Sequence, residues 1–409
     1  MNRFGLSVLT LGLALALPTA HAQKVAKIGI LAPLTGNSAA DGEEYVRGAQ
    51  LAVKELNAAG GVAGYKFEVV VGDTKDQTPA AVTSAVERLL GDPSINFMAT
   101  GYASGTNFEI NLMQKATMPY IVGANSTQTL GIIGKAPDKY PTVWSLTPSF
   151  DAYETRVLPV LQSLERQGLV KFPNKKLAIV TSDNPYSKGI YDGLKKSFTA
   201  AGWTVSVDEV LPFGEIGDWR SVLAKVRADP PAILINTDYL PGNAATFMTQ
   251  FLEQPTNSLV FIQYAPSVPE FVNLTKDKSS GVLYNLLGGI LDSPKNPRAA
   301  VIKAKFQKEY KVETGTYGAQ LYETVYLYAD ALRKVGDPTK RLDIGKAIGA
   351  MSKVTAFGRV RFDAKTHLSV QGDNAVPLQF YQLQSGKRVL FSPASFSTGK
   401  FVLPPWMKK

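Results

Sequence analysis

Residues 24–62 read KVAKIGILAPLTGNSAADGEEYVRGAQLAVKELNAAGGV, and they divide into one strand, one loop and one helix. Val25, Ile28, Ile30 and Leu31 form a short apolar run that stops at Pro33. A run of that length ending in a breaker fits a parallel strand covered on both faces. From Tyr45 onward, Val46, Ala49, Ala52, Val53 and Leu56 recur at the spacing of a helix with one face on a sheet. The joining loop 33–38 therefore leaves the carboxyl end of a strand and feeds a helix start, the edge at which open parallel sheets bind ligands.

Outward from this unit the same alternation continues. Strands are predicted at 67–71, 95–100 and 119–122, with helices at 79–90 and 106–116. Strand-helix alternation at this spacing implies an α/β domain with a doubly wound parallel sheet. Near residues 147–148 the pattern restarts. Helices at 150–167, 188–201, 218–228 and 243–252 alternate with strands at 177–181, 204–210, 232–236, 259–263 and 282–287, a second domain of the same type. Three amphipathic helices follow near 297–310, 319–335 and 344–351, with no strand between them, and then strand-like segments at 359–362, 377–384 and 388–391.

Residues 1–22 read as a segment outside the fold: Arg3, an apolar core from Phe4 to Leu17 too short to span a bilayer, and an Ala20-His21-Ala22 cleavage site. Cleavage there would release a soluble protein, and no later stretch is apolar enough to span a membrane. The chain has no cysteine, which excludes disulfides, thiolate catalysis and Cys-ligated metals. Its two histidines are His21 and His367, and the first leaves with the signal, so a His-rich metal site is excluded too. The formal charge of +10 falls to +9 without Arg3, and the cations are scattered, with only Lys175-Lys176, Lys195-Lys196 and Lys408-Lys409 adjacent. That is a solvated surface and no nucleic-acid patch.

The string at 28–64, IGILAPLTGNSAADGEEYVRGAQLAVKELNAAGGVAG, resembles the opening of the bacterial periplasmic leucine/isoleucine/valine-binding family, the solute receptors of ATP-driven (ABC) importers. The Ala-Pro-Leu-Thr-Gly loop at 32–36, the helix from Gly48-Ala49 to Asn57 and Ala59-Gly60-Gly61-Val62 carry the likeness. The resemblance implies a type I periplasmic binding fold. Lobe I would comprise 24–146 plus 290–357 and lobe II 147–289 plus 358–409, joined by a three-segment hinge near 145–148, 288–289 and 357–358. It implies a monomeric periplasmic receptor with no cofactor, metal or enzymatic activity. Such a receptor binds a small amino acid of the branched-chain type, or a related carboxylate, and delivers it to an inner-membrane permease.

The candidate ligand contacts sit at strand ends. In Gly101-Tyr102-Ala103-Ser104-Gly105-Thr106, the hydroxyls of Ser104 and Thr106 and the amides of a helix start converge, which favours a carboxylate; a plain helix cap is the competing reading. The Ser-Gly pair matches the family's carboxylate loop, and Tyr102 stands beside it. After the next strand, Asn125 and Ser126 hold the place of a second set of carboxylate and amino-group contacts, or of an ordinary turn. In lobe II, Tyr186 fills the place of the family's closing tyrosine, and Tyr239 and Tyr264 follow the next strands, so the three make either an aromatic wall or ordinary packing. The family's amino-acid binders usually carry an acid near position 264, where this chain reads Gln263-Tyr264-Ala265. A buried ammonium needs a counter-charge. Either Asp238 or Asp41 supplies it, or the solute is an amide, a urea or an aromatic or aliphatic acid.

Enzyme motifs are fragmentary. Ser182-Asp183-Asn184 lacks its Ser-x-x-Lys and Lys-Thr-Gly companions. A serine hydrolase triad of Ser104, an Asp and His367 would need glycines where Tyr102 and Thr106 stand. No Walker phosphate loop exists, and Gly60-Gly61 precedes a strand instead of opening a helix.

Overall fold

The computed structural model describes residues 24–407, so the expected signal segment 1–22 and the Lys408-Lys409 pair lie outside the described residues. Strands β1 (Lys24–Ala32), β2 (Tyr65–Asp73), β3 (Ile95–Thr100), β4 (Tyr120–Val122) and β5 (Val143–Ser145) form one parallel sheet in the order β2-β1-β3-β4-β5. Helices α1 (Ala39–Ala58), α2 (Pro79–Leu90), α3 (Ile110–Lys115) and α4 (Ser126–Ile133) connect them. Every residue of β3 is buried, as an apolar run covered on both faces requires. The winding reverses between β1 and β3, so the loops leaving those two strands diverge and open a crevice.

The second sheet takes β6 (Lys176–Ser182), β7 (Thr204–Leu211), β8 (Ile233–Asn236), β9 (Leu259–Ile262) and β10 (Leu283–Leu287). They are parallel to one another and interleaved with α5 (Asp151–Arg166), α6 (Pro185–Ala200), α7 (Arg220–Ala228), α8 (Pro241–Phe251) and α9 (Pro269–Thr275). The chain then passes through α10 (Pro297–Tyr310), α11 (Thr316–Val335) and α12 (Arg341–Gly349), and α11 packs along α1 and under β3. Gly48 permits the close approach: a Cβ there would stand 2.2 Å from the Gly318 carbonyl oxygen. A hairpin of β11 (Ser352–Thr355) and β12 (Gly358–Arg361) follows. Last come β13 (Leu378–Gln384) and β14 (Lys387–Ser392), antiparallel additions that complete the order β14-β13-β10-β9-β8-β6-β7.

The third crossing differs in place from the expected 357–358. Gly358 opens the strand that pairs with β11, and beyond it the Ser145 amide donates to the His367 carbonyl while the Ser369 amide donates to that of Ser145. Residues 367–369 thus extend the first sheet beside β5, and the chain joins the second sheet only at Leu378. Among the described residues, no helix is long and apolar enough to cross a membrane.

Candidate functional site

The strand ends of the two sheets face one cavity of about 250 Å³. The first lobe contributes Asp76, Gln77, Thr78, Tyr102, Gly105, Ala124, Asn125 and Tyr317, and the second Asp183, Asn184, Pro185, Tyr186, Phe213, Tyr239 and Tyr264. Local caps fix the loops on both sides. Thr78 accepts from the Ala81 amide to start α2, Asn184 accepts from the Ser187 amide to start α6, and both helices have proline at their first position. Because α6 opens at Pro185, three residues before its expected start, Tyr186 sits in its first turn and looks into the cavity.

Asp41, on the first turn of α1, lies behind the tyrosines and is 6% exposed. The Tyr102 hydroxyl donates to its Oδ2 at 2.6 Å, and the Tyr264 hydroxyl, from the other lobe, donates to its Oδ1 at 2.9 Å. Tyr264 reaches this place with a φ of 61°, a costly conformation for a bulky residue, held here at the cavity wall. Tyr239 also crosses the cleft, its hydroxyl 3.4 Å from that of Ser38, which accepts from Gln77 Nε2. The rings of Tyr102, Tyr239, Tyr264 and Tyr317 meet edge-on or tilted with centroids 5.4 to 6.2 Å apart, and Phe213 stacks on Tyr239. Burial raises Asp41 to about 6, against the pull of its two hydroxyl donors. Burial and the same carboxylate push the tyrosine hydroxyls upward, and each keeps its proton.

Several expected contacts stand elsewhere. The helix predicted from 106 begins only at Ile110, because Asn107 is held at a φ of 53° by its side-chain amide. That amide donates to the Ala124 and Asn125 carbonyls and to the Thr129 hydroxyl. Thr106 is left exposed outside the cavity wall, and the Ser104 hydroxyl turns inward to donate to Glu109 at 2.7 Å. Asp238 is fully buried and turned to its own loop, accepting from the Leu240 amide at 3.0 Å and Asn243 Nδ2 at 2.7 Å, so it belongs to the turn before α8 and is absent from the wall. Asn125 lines the cavity, while Ser126 next to it is buried with a hydroxyl that finds no partner among the described residues. The hydrolase arrangement is absent: His367 stacks on Trp144 at 4.2 Å with Nδ1 on the Val143 carbonyl, and Ser104 is bonded to Glu109.

Sequence reasoning missed Tyr317, Gln77 and Phe213. Gln77 and Phe213 follow the ends of β2 and β7, so the strand-end logic that found Tyr239 would have found them. Tyr317 arrives on a helix far along the chain, and periodicity alone gave no sign of its neighbours.

Ser104→Ala is therefore expected to leave solute affinity within twofold, while lowering unfolding free energy by about 1–3 kcal/mol, the cost of an unsatisfied buried acceptor; calorimetry and urea titration read the two effects separately. Burial raises Glu109 to about 7 in the fold, above the value of 4.5 for an ordinary glutamate, despite the Ser104 donor. The folded state then holds a proton that the unfolded chain releases, so stability from this group is full below pH 4.5 and falls as pH rises toward 7. Solute-free melting between pH 5 and pH 8 should show a smaller loss of Tm in Glu109→Gln than in the parent.

Residues 25–387 match the family model described as periplasmic binding protein. The Leu/Ile/Val-binding protein BraC3 of Rhizobium johnstonii is 25% identical over 383 residues, covering 91% of this chain and 95% of that one. Among solved structures, a putative branched-chain amino acid ABC transporter from Silicibacter pomeroyi superposes with a TM-score of 0.82 at 29% identity, over 94% of this chain and 100% of the other. A substrate-binding protein of Streptococcus pneumoniae, in complex with isoleucine, shares the fold at a TM-score of 0.72 and 21% identity, over 89% and 98% of the two chains.

Proposed function

We infer, since this chain belongs to the periplasmic binding protein family, that it is the solute receptor of an ATP-driven importer. It takes a small carboxylate-bearing solute, an amino acid of the branched-chain type, between its lobes, leaves it chemically unchanged and hands it to an inner-membrane permease. It works as a periplasmic monomer once residues 1–22 are removed, and its lobes swing on the three crossings between the sheets.

The observation that carries this reading is the bond from the Tyr264 hydroxyl to Asp41, which joins the two lobes across a cavity lined by both. At about 250 Å³ that cavity is smaller than the roughly 300–1,000 Å³ typical of ligand pockets, which suits a guest of amino-acid size. The likeness to the Rhizobium Leu/Ile/Val-binding protein and the Silicibacter branched-chain amino acid transporter supports the branched-chain class. Asn125 at the cavity wall, the unpartnered hydroxyl of the buried Ser126 beside it and the first-turn amides of α4, which a helix leaves without internal acceptors, suit the carboxylate. Tyr186, Tyr239 and Tyr264 belong to the lobe that arrives on closure. Moving the lobes from mostly open to mostly closed needs about 5 kcal/mol of differential affinity, which these second-lobe contacts provide.

The ring-lined wall favours one second reading, an aromatic acid or amide. A thermal-shift screen separates the two. Leucine, isoleucine or valine at a hundred times its dissociation constant should add about 2.7 kcal/mol of stability. A response to benzoate or benzamide alone would establish the second reading, and silence across the whole panel would overturn the receptor assignment.

A further inference from the structure

One bond between the lobes lies out of reach of the solute. Arg388, on β14 of the second sheet, gives a terminal nitrogen to Oε1 of Glu313 at 2.8 Å, and Glu313 stands in the loop leading into α11, the helix packed on α1 and β3. The pair lies in a second cavity, of about 30 Å³, which shares no lining residue with the larger one. Ser267, Tyr284 and Arg388 border it from one lobe, and Lys303, Glu313 and Thr316 from the other. Each half is aimed within its own lobe. Arg388 Nε donates to the carbonyl of Pro266, two residues after Tyr264, at 3.2 Å. The Glu44 carboxylate receives the Gly315 and Gly318 amides at 2.6 and 3.2 Å, which pins the loop that carries Glu313. Asp292, the other acid on this cavity, is taken by Lys303 at 2.6 Å. The Arg388 side chain is only 16% exposed and its second terminal nitrogen finds no partner, so among the described residues Glu313 is the one carboxylate it bonds.

We propose that Arg388 and Glu313 form a latch across the lobes, which favours the shut form without touching the solute and so raises affinity for every solute alike. Side chains in the wall of the larger cavity decide which solute is preferred. The latch acts on the closing equilibrium, and through it on every dissociation constant by one common factor. Because both partners are aimed before they meet, little side-chain freedom is lost when the lobes shut. The inference rests on the receptor reading above and adds to it a pair of residues that set how tightly, and not what, the chain binds.

Glu313→Gln removes the charge and keeps the size, and the test is calorimetry with L-leucine, L-isoleucine, L-valine and benzoate. Each solute that binds the parent should bind this variant about 10-fold more weakly, all by the same factor, and stopped-flow mixing should place the loss in the dissociation rate. The melting temperature without solute should not change, since the open form lacks the pair. Arg388→Gln should behave alike and covers the case in which Glu313→Gln does not fold. The double variant should be no weaker than either single one, because all three lose the same bond. Affinities within about twofold of the parent in both single variants would overturn the latch and leave the receptor reading standing. So would losses that differ from solute to solute, which mark a contact with the solute, or a lowered solute-free melting temperature in both variants, which marks a bond kept in the open form. A parent that binds none of the four would overturn the receptor reading and the latch with it.

Discussion

A leucine in place of Gly105 should weaken solute binding by about 100-fold or more without lowering the solute-free melting temperature. Gly105 faces the second lobe across the cleft, where a Cβ would already stand 3.2 Å from Pro185 Cγ at the start of α6. A methyl group there is tight, and while the lobes are shut the branched end of leucine must either push Pro185 aside or fill the cavity the solute would occupy. Gly105 itself borders the cavity, so the open form can accommodate the new side chain in water. The penalty thus falls on the closed state alone. Apparent affinity scales with the fraction of molecules able to close, and 100-fold corresponds to about 2.7 kcal/mol taken from closure. Small-angle scattering supplies the discriminating readout. The parent should compact when saturated with its solute, and Gly105→Leu should keep its open dimensions at the same concentration. A variant that binds and compacts normally would mean that Gly105 and Pro185 do not meet in the closed form.

The largest loss of stability is expected at Arg298. Its Nε and one terminal nitrogen grip the two oxygens of Glu323 at 2.8 and 3.0 Å, a bidentate pair linking α10 to α11. Glu323 is wholly buried and also accepts from the Ala356 amide in the turn between β11 and β12. The carbonyl of the same Ala356 receives the Leu291 amide and the Asn296 side chain, so the cluster ties together the segment that returns from the second sheet, the long helix and the hairpin. Arg298→Met leaves Glu323 as an unpaired buried charge, and unfolding free energy should drop by about 3–5 kcal/mol in urea titration. Adding Glu323→Gln in the same chain removes the charge and should recover most of the loss. If the double variant is no more stable than the single one, the missing arginine packing, and not the stranded carboxylate, sets the cost.

The sequence was most readable where a local signal and the tertiary environment agree. Thr78-Pro79 caps and starts α2 with no help from elsewhere, and β3 is an apolar run whose burial on both faces matches its composition. The start of α3 was unreadable because Asn107 spends its amide on carbonyls in the loop after β4, a partner 17 and 18 residues away that no window around Asn107 contains. Asp238 looked like a free charge at a strand end, yet two donors nearby in sequence had already claimed it. Asp41 was recognisable as a candidate, but its two tyrosine donors come from residues 61 and 223 positions away, and only the fold brings them together. The chain crossing near 357–358 was misplaced for a related reason: a small turn residue marks a bend, and the bend here closes a hairpin.

The seating of α11 against α1, where Gly48 meets the backbone of Gly318, also sets an order of events during synthesis. A nascent chain displays the apolar face of α1 for more than 250 residues before its covering helix appears, and the free edge of β10 waits for β13. Folding therefore cannot proceed vectorially, one lobe after the other, as it does in chains whose domains are contiguous. The first half waits for α11 and for residues 367–369 beside β5, and the second waits for β13 and β14, so neither can be finished until the closing stretch of the chain has been made.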